Sequence, residues 1–276
     1  KPGFYFYSTD PLDKYFIFGG GSINKSNDLD LILMFEYKKM KPTLFTNLYW
    51  VTRNLSRSDN MTSISGNLYD NVSMRSDDTY IMFSSDIGSR YKNKLSTYSI
   101  SYNYSKYTAH IIGYTRLYHE STYTSYPFEG IYDYFRGHKL TLGYNWRMYK
   151  PQYSFNMLPQ NGFEFNADIS IEKNDFDPEF EISEEYGTLS LVFAEHNTDR
   201  IDLSLKRNYT LNKKIRLIIN ESWYLGILTN KKVDDFFYFF GGGLPGVRGY
   251  TFYNKDLSGP ELFTMTQSIG LPIVME

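Results

Sequence analysis

The sequence contains no cysteine, so a disulfide scaffold, a thiol nucleophile and a thiolate metal site are all excluded. It has no run approaching the ~20 consecutive apolar residues that a membrane-spanning helix needs, which removes helical membrane proteins. Charge of one sign is also lacking: 29 Lys and Arg against 31 Asp and Glu leave a net charge of −2, and nothing in that balance points to nucleic acid. The histidines His110, His119, His138 and His196 are scattered without metal-ligand spacing. No Gly-x-Ser-x-Gly elbow is present to seat a serine nucleophile. Gly19-Gly20-Gly21-Ser22 and Gly241–Gly243 lack the Lys-Ser/Thr of a phosphate-binding loop. The expectation from these absences is a protein that is not an enzyme and uses no cofactor or metal.

What the chain does have is aromatic residues, 27 Tyr and 21 Phe, and a mean hydropathy below zero although 41 % of its residues are hydrophobic. A transmembrane β-barrel produces this combination, because lipid-facing and lumen-facing residues alternate along each strand and average to a mildly polar sequence. A soluble propeller or sandwich fits the same bulk numbers. Period-two alternation recurs from end to end. Leu29, Leu31, Leu33, Phe35 and Tyr37 oppose Asp28, Asp30, Ile32, Met34 and Glu36. Leu140, Leu142, Tyr144, Trp146 and Met148 oppose Lys139, Thr141, Gly143, Asn145 and Arg147. Phe163, Phe165, Ala167, Ile169 and Ile171 oppose Glu164, Asn166, Asp168, Ser170 and Glu172, and Ile201, Leu203 and Leu205 oppose Arg200, Asp202, Ser204 and Lys206. Alternation over about ten residues suits a tilted membrane strand and is long for a soluble one. Tyr98, Ile100, Tyr102 and Tyr104 share a face, as an interfacial aromatic girdle would require.

Ten to twelve strands are expected, at 14–22, 28–38, 43–53, 79–90, 94–104, 107–118, 137–149, 163–173, 187–194, 199–210, 213–225 and about 262–274. Short connections at 38–42 and 212–213 read as tight turns on one side. Polar stretches at 54–78, 119–136 and 174–186 read as longer loops on the other. The up-and-down parity fails around 105–136 and 187–198, so at least one strand in this scheme is misplaced. The acidic stretch Glu172, Asp175, Asp177, Glu179, Glu181, Glu184 and Glu185 has no calcium-loop pattern and reads as a solvated loop.

One segment is more specific. Residues 237–250 read Phe-Tyr-Phe-Phe-Gly-Gly-Gly-Leu-Pro-Gly-Val-Arg-Gly-Tyr. Glycines permit a sharp fold-back, and a loop folded back into a barrel would carry Arg248 inward, where its guanidinium could bond wall carboxylates. A plain hairpin with a surface arginine is the simpler alternative. Gly242, Gly243, Val247, Arg248, Gly249 and Tyr250 resemble the signature loop of the BamA-type superfamily of outer-membrane assembly factors and translocators. Leu158-Pro159-Gln160-Asn161-Gly162-Phe163 is similar to the Pro-x-x-Gly that opens a strand there. Asp10-Pro11-Leu12-Asp13 is similar to the first strand of members whose barrel follows a TolB-like propeller. The chain departs from the family after the loop, where Ser268, Ile269, Gly270, Leu271 and Pro272 stand in place of Glu-x-Arg-x-Pro.

The resemblance implies that residues 1–276 are an antiparallel transmembrane barrel domain of a bacterial outer membrane, with the signature loop at 237–260. It further implies insertion of other barrels or polypeptide translocation, working on client outer-membrane or secreted polypeptides, together with outer-membrane lipid and a periplasmic domain or subunits. Family barrels have sixteen strands, so about four more are expected, from a longer chain or from another polypeptide. No basic-then-apolar leader comes after Lys1, which suggests a removed signal peptide or a piece of a longer protein. By the same resemblance Lys14, Tyr15, Phe16, Ile17 and Phe18 form the first strand at a lateral seam, where an unpaired edge templates an incoming strand. Arg248 is expected to act as a structural lock. An autotransporter-like or passive transport barrel, of about twelve strands at this length, and a soluble binding propeller or sandwich remain as alternatives.

Overall fold

The computed structural model describes residues 2–62, 71–119, 122–149, 161–182, 189–212, 217–243, 247, 249–251 and 254–270. The fold is all-β and antiparallel, as expected. Its strands are β1 (Gly3–Thr9), β2 (Tyr15–Ile23), β3 (Leu29–Tyr37), β4 (Thr43–Thr62), β5 (Asn71–Asn93), β6 (Ser96–His119), β7 (Thr122–Tyr149), β8 (Gly162–Ile182), β9 (Leu189–Glu195), β10 (Thr198–Asn212), β11 (Leu217–Leu228), β12 (Phe239–Phe240), β13 (Ser258–Gly259) and β14 (Glu261–Gly270). Twelve of them form one sheet in the order β1-β2-β3-β4-β5-β6-β7-β8-β10-β11-β14, with β9 on β8. β9 pairs with the end of β8 from Asp175 to Ile182 while β10 pairs with its beginning from Gly162 to Glu172, so β9 and β10 form one broken strand. Among the described residues the sheet, which is open, therefore has eleven staves, each antiparallel to its neighbours. Turns at 10–14, 38–42 and 94–95 define a near rim, and the hairpin ends of β4–β5 and β6–β7 a far rim. Both outermost staves, β1 and β14, run from the far rim to the near rim.

Several expectations change. The two strands expected at 94–104 and 107–118 are one strand, β6 (Ser96–His119); this removes the parity fault around 105–136. Near that point one residue, Tyr134, is extra in the β6–β7 register, so alternation changes phase along β7. The broken strand β9–β10 explains the fault at 187–198. The stretches 54–78, 119–136 and 174–186 lie at the expected rim, but most of their described residues are ordered strand, including Glu172, Asp175, Asp177, Glu179 and Glu181 on β8. Polar side chains on both faces hid these extensions, because backbone pairing continues without an apolar row. The first strand is Gly3–Thr9; its Phe4-Tyr5-Phe6-Tyr7 run is aromatic on both faces and shows no alternation.

The cross-strand register sorts the side chains into two faces. One face carries Leu31, Leu33, Leu44, Leu48, Trp50, Ile100, Leu140, Leu142, Ile169, Ile171, Leu203, Leu225 and Phe263. These rows are not packed against another sheet: Leu142 is 55 % exposed and Ile169 51 %. The opposite face carries Asp30, Glu36, Asp86, Arg90, Lys139, Asp168, Glu172, Arg200 and Asp202, laced by pairs such as Lys139–Glu172 at 2.9 Å and Arg90–Glu36 at 2.9 Å. Aromatic rings close the near end of the apolar face, with Tyr15 opposite Tyr37, Tyr91 opposite Tyr98, and Trp146 5.3 Å from Phe163. At its far end lies a charged row in which Asp133 takes Lys106 at 3.1 Å and Arg136 at 2.7 Å, with Asp175 opposite Arg136.

Candidate functional site: a segment returning onto the polar face

Between β11 and β14 the chain does not form a simple hairpin. Its root is clamped to the β9–β10 break. The Thr229 N–H donates to the Asp199 carbonyl at 3.0 Å, the Asn230 side chain donates to the Asn197 carbonyl at 2.9 Å, and the Asp234 N–H donates to His196 Nδ1 at 3.2 Å. The Asp234 carboxylate caps a 3-10 turn over Asp235–Phe237 by accepting the Phe236 N–H at 2.8 Å. That turn throws two rings onto the sheet. Phe236 stacks on Phe176 of β8 with centroids 4.6 Å apart, and Phe237 lies 5.4 Å from His196 and 6.1 Å from Phe135 of β7.

Phe239 is the most deeply set of these residues, 2 % exposed. It fits because Gly226 of β11 has no side chain: a Cβ there would meet the Phe239 ring at 2.6 Å. The Arg200 guanidinium covers the ring at 3.9 Å from its centre, and Arg200 Nε also donates to Asp202 at 3.1 Å. Asp202 accepts a second bond from the Tyr224 hydroxyl. Gly226, Arg200, Asp202 and Tyr224 all belong to the charged face, so the returning segment lies on that face and not out in solvent. With Phe135, Leu228, Val233 and Phe237, Phe239 forms the main buried apolar cluster of the described residues. Cluster formation of this kind stabilises by removing ring surface from water, worth about 1.5–3 kcal/mol per fully buried large side chain.

Beyond Phe240 the segment knots on itself. Gly241 donates to the Leu257 carbonyl at 2.7 Å, Val247 to the Gly241 carbonyl at 2.7 Å, and Gly243 to the Tyr250 carbonyl at 3.0 Å. Gly243 and Gly249 have φ of 86° and 96°, values that other residues adopt only with strain, so these two positions need glycine. The structure thus brings Gly242, Gly243, Val247, Gly249 and Tyr250 together. Tyr250 is half exposed, and Arg248 lies outside the described residues. Between this segment and the wall is a cavity of about 430 Å³ lined by Arg200, Lys206, Ser222, Tyr224, Phe240 and Thr266, among others.

Comparison with family models, curated protein sequences and solved structures found no match.

The seam expectation is corrected in one respect. Tyr15, Phe16, Ile17 and Phe18 lie on β2, which is paired on both sides, and Lys14 sits in the preceding turn with its carbonyl accepting the Lys38 N–H at 2.6 Å. The sheet edge is β1. It is held partly by side chains: Phe6 lies over Gly19, Tyr5 over Gly20, and Phe4 near Gly21, filling positions that the triple glycine leaves open. The anchors that sequence reading missed are Val233, Phe237 and Phe239. For the two phenylalanines a signal was available as an unbroken run of aromatics, Phe236 to Phe240, which cannot alternate as a strand would; Val233 had none. Among the described residues no cluster of His, Asp and Glu is arranged to hold a metal.

Proposed function

We propose that this sheet is the wall of a β-barrel in a bacterial outer membrane, and that it serves the insertion of other outer-membrane proteins or the passage of polypeptides. In this reading the apolar face meets acyl chains, the charged face lines an aqueous interior, and the returning segment is a lock inside it. The observation that carries the reading is the place of that segment, packed by Phe237 and Phe239 onto the charged face. The exposed aliphatic rows add support. In water they would form an apolar patch far larger than soluble monomers tolerate. From Met148 to Leu140 the apolar row of β7 spans about 27 Å along the strand, close to the ~25 Å band of a barrel once tilted. The Gly242-Gly243 and Val247-Arg248-Gly249-Tyr250 resemblance directs the function toward assembly or translocation.

Reconstituted in lipid vesicles with an unfolded β-barrel client, the protein should accelerate client folding. Arg248→Ala should weaken that acceleration and raise protease sensitivity within 229–257, while the barrel still inserts. Client folding no faster than in empty vesicles would overturn the reading. A passive channel is the second reading, favoured by the cavity with Arg200 and Lys206 beneath the segment. Steady conductance unchanged by Arg248→Ala, without client folding, would establish it. Release from cells in carbonate without detergent would instead identify a soluble binding protein.

A further inference from the structure

We propose that His196 is an acid-sensitive latch that holds the returning segment on the charged face only while its ring is neutral. The geometry assigns the tautomer. His196 Nδ1 accepts the backbone N–H of Asp234 at 3.2 Å, so its proton sits on Nε2. A protonated imidazole carries N–H on both nitrogens, and Nδ1–H would then face the Asp234 N–H, donor against donor. The bond is lost.

The latch sits where the segment leaves the wall. His196 itself is tied to β8, its N–H donating to the Asn174 carbonyl at 2.7 Å, so the ring is placed by the sheet and the segment hangs from it. Most of the surrounding acids are engaged with partners other than His196. From β8, Glu172 pairs with Lys139 at 2.9 Å. From the segment, the Asp234 carboxylate caps the 3-10 turn, and Asp235 is 3.7 Å from Lys255. From the strand break, Glu195 accepts the Asn197 side chain at 3.1 Å, and Asp199 is exposed. Of the basic groups, Lys231 pairs with Glu261 at 2.6 Å and Lys232 is exposed. β7 contributes Phe135 to this cluster, with Arg136 turned to the opposite face over Phe193. Histidine is the side-chain type whose protonation is varied by moving between pH 8 and pH 5, which sets the range for the test.

The test is hydrogen exchange of the Asp234 amide in the full chain reconstituted in membranes, at pH 8 and pH 5, corrected for the intrinsic exchange rate. Protection should fall about fivefold in acid, the shift that losing one hydrogen bond of ordinary net strength produces. His196→Asn offers an acceptor oxygen near the position of Nδ1 and does not titrate, so its protection should stay high at both pH values. His196→Ala should be low at both. Equal protection of the unmodified protein at the two pH values overturns the latch. So does an undiminished fall in His196→Asn, or full protection in His196→Ala at pH 8.

Discussion

The near and far halves of β4–β7 share one continuous ladder of backbone hydrogen bonds and have very different surfaces. On β6 the near half turns Tyr98, Ile100, Tyr102 and Tyr104 to the apolar face, and the far half turns Lys106, Thr108, His110 and Ile112 to the same side. The change falls at one level across the sheet, where Lys106, Arg136, Asp133 and Asp175 form a row, and the extra residue Tyr134 sits beside it. Backbone pairing therefore does not determine where the apolar surface stops. Side-chain chemistry does, and a register irregularity marks the place.

The sharpest way to break this comparison is a charge in each half. If the proposed membrane reading holds, Leu142→Arg, in the middle of the apolar row, should cost about 2–4 kcal/mol in a lipid-reconstituted unfolding titration, the depth-dependent penalty for a cation on a lipid-facing surface. An effect under 0.5 kcal/mol would remove lipid from the account. The boundary row comes next. Burial works to raise the Asp133 carboxyl, but bonds from Arg136, Thr108 and Lys106 outweigh it and hold the group below its ordinary value. A carboxylate held low contributes stability that is fully present above its unfolded value, about pH 3.9, and is lost as pH falls through its folded one. Asp133→Asn should therefore cost about 1.5 kcal/mol at pH 7, with the gap to the unmodified protein closing below about pH 4; a gap that persists there contradicts the assignment. The smallest effect is expected in the far half. Ile112→Arg faces the same side as Leu142 but should stay within about 0.5 kcal/mol, as a surface substitution does. A penalty equal to that of Leu142→Arg would extend the lipid contact beyond the charged row.

Legibility in the sequence followed the same division. Strands with a clean apolar row, such as β3 and β10, were readable to within about two residues at each end, because one face had to avoid water and the other did not. The far halves were not readable. Arg57-Ser58-Asp59-Asn60 has no apolar face, and only its pairing partners Ser73 to Ser76 make it a strand. The edge strand β1 failed for the opposite reason, since rings on both faces leave no alternation to detect. At the candidate site, the glycines with positive φ were legible as a tight fold-back; the segment is held on the charged face by Phe237 and Phe239, whereas Arg248, on which the expected lock turned, lies outside the described residues. What could not be read was its means of attachment. Phe239 needs Gly226 on one strand and Arg200 on another, and neither spacing announces a contact between them.

The eleven staves of the described residues are an odd number, and that has a consequence for any seal of the sheet. Because the first and last staves descend together, bringing them into direct contact would create a parallel junction in an otherwise antiparallel wall. A junction of the ordinary kind on both flanks demands that whatever fills the gap contribute one, three, five or another odd count of strands, the first and last of them ascending. A strand offered in the wrong direction, or an even number of them, leaves one flank mismatched.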